Sequence, residues 1–264
     1  MSWKLSAFAD EIDGDIEVQF AHLKENGIGL VDLRSAYGKN VMALSDEEIA
    51  SYVARAADFG VTVNCIGSPV NKVVMADSPA EAELDKTKRA IEAAKLAGTN
   101  RIRFFTPQGD DFDAVCAWIE PQIKAADEAG VVLMHENDAK YYGAYPDNAK
   151  KLVERFASPS FRFAFDFANT VQIGFRAMDD WFPWLLPYLE TIHIKDARED
   201  GKVVPAGEGV GQVKETLAWL KAQGWEGVLS IEPHLQFAGD RGGFSGIESF
   251  QIATNAIKGI MAGL

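Results

Sequence analysis

The sequence predicts an α/β fold, a single (β/α)8 barrel spanning residues 1–264 as one domain. Three observations carry that expectation. The chain has 264 residues, close to the roughly 250 typical of such barrels. Short apolar runs alternate with longer amphipathic ones, the rhythm of repeated strand and helix units. Four motifs, HEND at 135–138, FDFAN at 165–169, IHIKDA at 192–197 and IEPHL at 231–235, each place a metal-competent side chain at the end of a strand-like stretch. Those side chains, Glu136, Asp166, His193 and Glu232, are 30, 27 and 39 residues apart. Each interval fits one strand plus one helix, so the strand ends converge on one mouth of the barrel.

The strands are expected at 5–9, 30–33, 61–66, 101–105, 131–136, 162–166, 191–195 and 227–232. Helix starts are clearest after strands two and three. Ser45-Asp-Glu-Glu48 reads as a capping box, in which the serine oxygen accepts from the helix and the glutamate reaches back. Ser78-Pro-Ala-Glu81 repeats the pattern, with Pro79 expected at the first helical position, where its missing N–H costs least. Both helices run to a glycine stop, Gly60 and Gly98, and Gly130 and Gly224 end two later ones. No Pro/Ser linker or low-complexity stretch divides the chain. The longest loops follow strands three, five, six, seven and eight, the end where barrel enzymes build their sites.

Composition narrows the function classes. With 39 acidic against 26 basic residues the formal charge is −13, which opposes binding to nucleic acid or an anionic membrane. No apolar run approaches the roughly 18 residues needed to span a bilayer, and the opening MSWKLSAFADEIDG reads as neither a secretory nor a transit peptide. Two cysteines, Cys65 and Cys116, lack any partner spacing and fit reduced thiols in a cytoplasmic protein. Three carboxylates and one imidazole meeting at one mouth describe a divalent-metal site. The hard oxygens suit magnesium or manganese, and the imidazole admits cobalt or zinc.

HEND, FDFAN, IHIKDA, PAGEG at 205–209 and IEPHL, in that order, resemble the xylose-isomerase-like TIM-barrel superfamily of sugar phosphate isomerases and epimerases. FADEI at 8–12 is similar to that superfamily's first strand, and the resemblance covers the whole chain. It implies one divalent ion, manganese, magnesium, cobalt or zinc, held by Glu136, Asp166, His193 and Glu232. It also implies an isomerase or epimerase of a small ketose or related polyhydroxy carbonyl compound. Glu136 and Glu232 are then the catalytic pair on opposite sides of the substrate, moving protons through a metal-stabilised enediolate. Return of the proton to the opposite face gives epimerisation; return to the neighbouring carbon gives isomerisation.

Two further readings stay open: a metal-dependent dehydratase of a cyclic polyol ketone or dehydroshikimate-type substrate, and a catalytically silent sugar-binding barrel. The expected partner is a small sugar or polyol, with a homo-oligomer reasonable and neither nucleic acid nor membrane involved. Endonuclease IV, in the same superfamily, needs many histidines for its three zinc ions. This chain has four in all, with Asn169 where a strand-six histidine would stand and none in 198–205.

Substrate contacts are expected from His234, Lys195, Arg198 and Tyr141. His234 shares a face with Glu232 if the strand continues, although Pro233 suggests that it has ended. Lys195 and Asp196 either face substrate or hold the loop, and Arg198 either binds a substrate oxygen or is a solvated charge. The Lys140-Tyr-Tyr-Gly143 loop reads as an aromatic lid with a glycine hinge. His135, next to Glu136, is directed away from the mouth and expected to pack; His22 is expected at the surface or in packing. The N–H groups of 205–209 could receive an anion, but no Arg or Lys cluster beside them supports a substrate phosphate.

Overall fold

The computed structural model describes residues 3–235 and 246–264. Eight strands form one parallel sheet: β1 (Lys4–Ala7), β2 (Leu30–Leu33), β3 (Thr62–Ile66), β4 (Arg101–Phe104), β5 (Val132–Glu136), β6 (Phe161–Asp166), β7 (Leu189–Ile194) and β8 (Val228–Ile231). Their hydrogen-bonded order is β1-β8-β7-β6-β5-β4-β3-β2, a nearly closed barrel. All eight fall where the sequence places them. The ends differ by a residue or two because β1 passes into a 3-10 turn at Ala9–Glu11, and Lys195 and Glu232 lie just beyond β7 and β8.

β1 and β2 stand at the two ends of the ladder, and a buried carboxylate on β2 spans the seam between them. Ser6 of β1 donates to Asp32 Oδ1 at 3.0 Å, Asn64 of β3 donates to the same oxygen at 2.7 Å, and Ser230 of β8 donates to Oδ2. Strand alternation then divides the apolar side chains. Ile102, Leu133, Phe163, Phe165, Ile192 and Leu229 pack outward in the main core with helix residues such as Trp181, Phe182 and Leu217. Inside the barrel the apolar cluster is small, Cys65, Met134 and Ala164. This leaves the interior at the strand ends to polar groups.

The helices α1 (Ile16–Glu25), α2 (Asp46–Asp58), α3 (Ala80–Ala97), α4 (Phe112–Ala129), α5 (Pro146–Phe156), α6 (Phe167–Gln172), α7 (Phe182–Leu185), α8 (Val213–Ala222) and α9 (Gly246–Gly263) follow the strands. α2 has the predicted capping box, with both Ser45 and Glu48 bonds formed. α3 corrects its prediction. Pro79 occupies the cap position with extended backbone and Ser78 makes no cap bond, so the helix begins one residue later than the motif implies. Gly98 and Gly130 end α3 and α4 with φ of 71° and 68°, a conformation that a Cβ disfavours.

Both cysteines are buried and free, and burial pushes both thiols up in pKa. Among the described residues no helix is long and apolar enough to cross a membrane.

Candidate functional site

Four strand ends deliver four ligand atoms. Glu136 closes β5, Asp166 closes β6, His193 lies in β7 and Glu232 follows β8, and one ligand atom from each falls within 4.8 Å of all the others. The register explains the meeting: Asp166 pairs with His193 across β6 and β7, and His193 pairs with Ser230 across β7 and β8. All four side chains are buried.

Local bonds aim each of them. Asp166 Oδ1 caps α6 by accepting from the Asn169 N–H at 2.9 Å, which directs Oδ2 to the other side of the carboxylate. Asn137 holds the same residue by its backbone, donating to the Asp166 carbonyl at 2.9 Å and accepting from its N–H at 2.8 Å. Asn169 Nδ2 returns to Glu136 Oε1 at 3.2 Å. Phe8 meets the His193 ring edge to face at 5.2 Å. The HEND and FDFAN motifs therefore supply both candidate ligand side chains, Glu136 and Asp166, and the amides that orient them.

The donor set fits a divalent cation. Among the described residues, His193 Nδ1 and Glu232 Oε2 are buried without a hydrogen-bond partner, a costly state unless something else binds there. His193 Nδ1 lies 3.5 Å from Glu136 Oε2 and 3.6 Å from Glu232 Oε2, too far for good hydrogen bonds. Asp166 Oδ2 also lacks a well-aligned donor, although Lys195 Nζ is 2.8 Å away as an ion pair. Three oxygens and a nitrogen aimed at one small space are a donor set that could hold a metal accepting both carboxylate and imidazole.

Cations surround this acidic centre. Arg103 Nη1 stands 3.4 Å from both Glu136 Oε2 and Glu232 Oε1, Arg34 Nη1 donates to Glu232 Oε1 at 3.0 Å, and Lys195 Nζ is 3.7 Å from Glu232 Oε2. Burial alone would raise the pKa of both glutamates. His193 and Arg103 hold Glu136 below the usual carboxylate range instead, and Lys195, His234, His193 and Arg103 do the same for Glu232. Burial wins at Asp166 and pushes its carboxyl up. Lys195 stays charged: burial opposes the ammonium, but Asp166, Glu232 and Glu136 outweigh it and raise its pKa.

The four residues expected to contact substrate separate. Lys195 enters the cluster. His234 reaches its edge, with Nε2 3.7 Å from Glu232 Oε1; its φ of 47° shows that the chain has left the strand at Pro233. Its imidazole Nδ1 lies 2.5 Å from Glu11 Oε1, and its N–H donates to Glu11 Oε2 at 2.8 Å. The Tyr141 ring centroid lies 5.9 Å from that of Phe105. The Arg198 guanidinium is half-exposed and turned to Asp200 at 3.7 Å.

The remaining expectations divide similarly. His135 packs behind the sheet, 3.2 Å from Thr106 Oγ1, and burial pushes its pKa down to about 3. His22 packs edge to face on Phe250. Gly143 is buried and its N–H donates to Thr106 Oγ1 at 2.8 Å; a Cβ there would fall 2.4 Å from the His135 ring, so close approach accounts for the glycine. The anion received by the glycine turn at 205–209 is internal. Asp196 accepts from Gly207 at 2.9 Å and Gly209 at 3.1 Å with Oδ2, and from Gly211 at 2.9 Å and Ala197 at 2.8 Å with Oδ1.

Sequence reasoning missed Arg34, Arg103, Asp10 and Glu11. Arg34 donates from Nε to Asp10 at 2.7 Å and lies 3.3 Å from Glu11. A signal was available for Arg103: in RIRFF it shares the inward parity, between outward Ile102 and Phe104. A separate cavity of about 840 Å³ opens at the opposite end of the barrel, lined by Lys4, Thr62, Asn64, Arg101 and Glu226. It holds none of the acidic cluster, so the chemistry is assigned to the carboxyl ends of the strands.

Comparison with known proteins agrees with this architecture. A D-tagatose 3-epimerase-like protein superposes with a TM-score of 0.79 at 15% identity, over 98% of this chain and 97% of that one. The probable 3-DHS dehydratase AsbF of Bacillus anthracis gives 0.75 at 15% identity, over 99% of each chain. A xylose isomerase-like TIM barrel protein from Mycobacterium smegmatis, in complex with magnesium, gives 0.69 at 18% identity over 97% of each chain. A search of curated protein sequences finds no match. At these identities the structures establish the fold alone. The family profile of the xylose isomerase-like TIM barrel matches residues 20–243. Eight parallel strands in barrel order and a profile match over most of the sequence together show that this chain belongs to the xylose isomerase-like TIM barrel family.

Proposed function

We propose that this protein is a divalent-metal-dependent isomerase or epimerase of a small ketose or related polyhydroxy carbonyl compound. The observation that carries this reading is the convergence of Glu136, Asp166, His193 and Glu232 within 4.8 Å, with buried ligand atoms left unpartnered. These four residues would hold the ion. When bound, it would supply Lewis-acid stabilisation of negative charge developing on substrate oxygens.

The chain's own residues do the rest. One of Glu136 and Glu232 removes a proton from the carbon beside the carbonyl, and the other returns a proton to the opposite face or to the neighbouring carbon. Both are held ionised by their cationic neighbours, so either can act as the base, and its partner takes up a proton from solvent water before returning it to carbon. Lys195, fixed by Asp166, has further N–H donors for a substrate hydroxyl, and His234 stands at the edge of the cluster. The buried free thiols suit a reducing, cytoplasmic setting.

The deciding experiment presents ketoses, aldoses and cyclic polyol ketones to manganese-reconstituted protein in deuterated water, read by proton NMR. Exchange at one carbon with an epimeric or isomeric product supports the proposal. Loss of water from a cyclic ketone would assign a dehydratase, and binding without exchange would assign a silent sugar-binding barrel.

A further inference from the structure

Arg103 occupies a singular position among the cations of the site. Its Nη1 is 3.4 Å from Glu136 Oε2 and 3.4 Å from Glu232 Oε1, so one nitrogen spans the two glutamates. The other donors of the fork point backward: Nε to the Ser68 carbonyl and Nη2 to the Gly67 carbonyl, both at 3.3 Å. Phe8 and Phe105 lie against the group, with their ring centroids 5.0 and 5.2 Å from the guanidinium carbon. The side chain is buried. Gly67 is itself constrained, since a Cβ there would stand 2.9 Å from Arg34 Cβ and 3.1 Å from the Phe8 ring. The loop after β3, two aromatic rings and the β4 backbone therefore fix one guanidinium in one orientation.

We propose that Arg103 is a positioning residue that sets the separation and orientation of Glu136 and Glu232, so that both present an oxygen to the same ion. The proposal rests on the reading of those glutamates as a metal-holding pair. Nη1 lies near one oxygen of each glutamate, Glu232 Oε1 and the Glu136 Oε2 that also faces His193 Nδ1 at 3.5 Å. Glu232 Oε2 is one of the unpartnered atoms, and Glu136 Oε1 faces Asn169. A lysine would keep the charge but has no planar fork to anchor on two carbonyls while reaching two carboxylates. The alternative role, charge balance alone, requires only a positive group there.

Arg103→Lys separates the two roles, because charge is constant and geometry is not. Mn²⁺ is titrated into wild type and variant by calorimetry, with the electron paramagnetic resonance spectrum of the bound ion recorded and folding checked by circular dichroism. The expected result is about 10-fold weaker Mn²⁺ binding, the lower end of effects seen when groups orienting metal ligands are removed, together with an altered spectrum. Phe105→Leu removes one face of the sandwich without touching a ligand or its charge. It is expected to shift the spectrum in the same sense with a smaller loss of affinity, and it serves as the test if the lysine variant fails to fold. Wild-type affinity and spectrum in folded Arg103→Lys, or in Phe105→Leu where the lysine variant does not fold, would overturn the proposal. Failure of wild type itself to bind Mn²⁺, or undiminished binding by Glu136→Ala, would instead refute the metal site on which the proposal rests.

Discussion

Asn137 and Asp166 exchange two hydrogen bonds, side-chain amide to backbone, across the carboxyl ends of β5 and β6. The strand that carries Glu136 is thereby tied to the strand that carries Asp166. Replacing Asn137 by alanine leaves a buried N–H and C=O of Asp166 without their partner. At about 1–3 kcal/mol for each of the two groups, urea unfolding should show a loss of about 2–6 kcal/mol. Metal titration should show weaker binding in the same variant. Unchanged stability would mean that the pair is dispensable.

Asp196 is expected to be structural. Its carboxylate receives four backbone N–H groups that order the turn at 205–211. Asp196→Ala should cost about 3 kcal/mol or more, since bonds to a charged acceptor contribute about 1.5–3 kcal/mol each. It should also make that segment the first site of limited proteolysis. A variant as resistant as wild type would contradict the assignment.

His135 gives a pH dependence of definite sign. Its pKa is about 3 in the folded protein against 6.5 for the free side chain, so between those values the unfolded chain binds the extra proton. Its contribution is fully retained above pH 6.5 and is lost as pH falls toward 3, with a slope of up to about 1.4 kcal/mol per pH unit. Urea unfolding from pH 7 to pH 5 should show a steeper acid loss in wild type than in His135→Gln. Equal slopes would show that His135 is not held neutral.

Much of this was legible in the sequence for a physical reason. A barrel repeats one pattern eight times, and Glu136, Asp166, His193 and Glu232 each break an apolar run at its end. Their neighbours were harder to read. Arg34 and Arg103 have the composition of ordinary charged residues; β4 is the ladder neighbour of β5, but only near-closure of the sheet across the β1–β2 seam brings Arg34 and Arg103 within reach of Glu232 beyond β8. Likewise, Asp196 follows His193 closely enough to suggest a ligand or substrate contact. The hairpin pairing Asp196–Ala197 with Val203–Val204 is what returns the glycine turn onto its carboxylate.

The two glutamates should separate binding from turnover. Glutamine at Glu136 or Glu232 keeps an oxygen for the ion but cannot carry the proton. On any substrate that the deuterium screen identifies, turnover at matched metal occupancy should fall by about 100- to 10,000-fold. One of the variants is expected still to exchange the substrate proton. Wild-type turnover in both would remove the two-carboxylate mechanism.

An abasic-site nicking assay with zinc should find no meaningful cleavage, given the net charge of −13 and the few histidines. Metal-dependent cleavage lost in Glu136→Ala would reverse that expectation.

The central claim is that Glu136, Asp166, His193 and Glu232 form one metal centre, and metal occupancy tests it most directly. Elemental analysis and Mn²⁺ titration of the wild type should give one ion per chain, while the Asp166→Ala/His193→Ala double variant, folded by circular dichroism, should lose it. Full occupancy in that double variant would contradict the account.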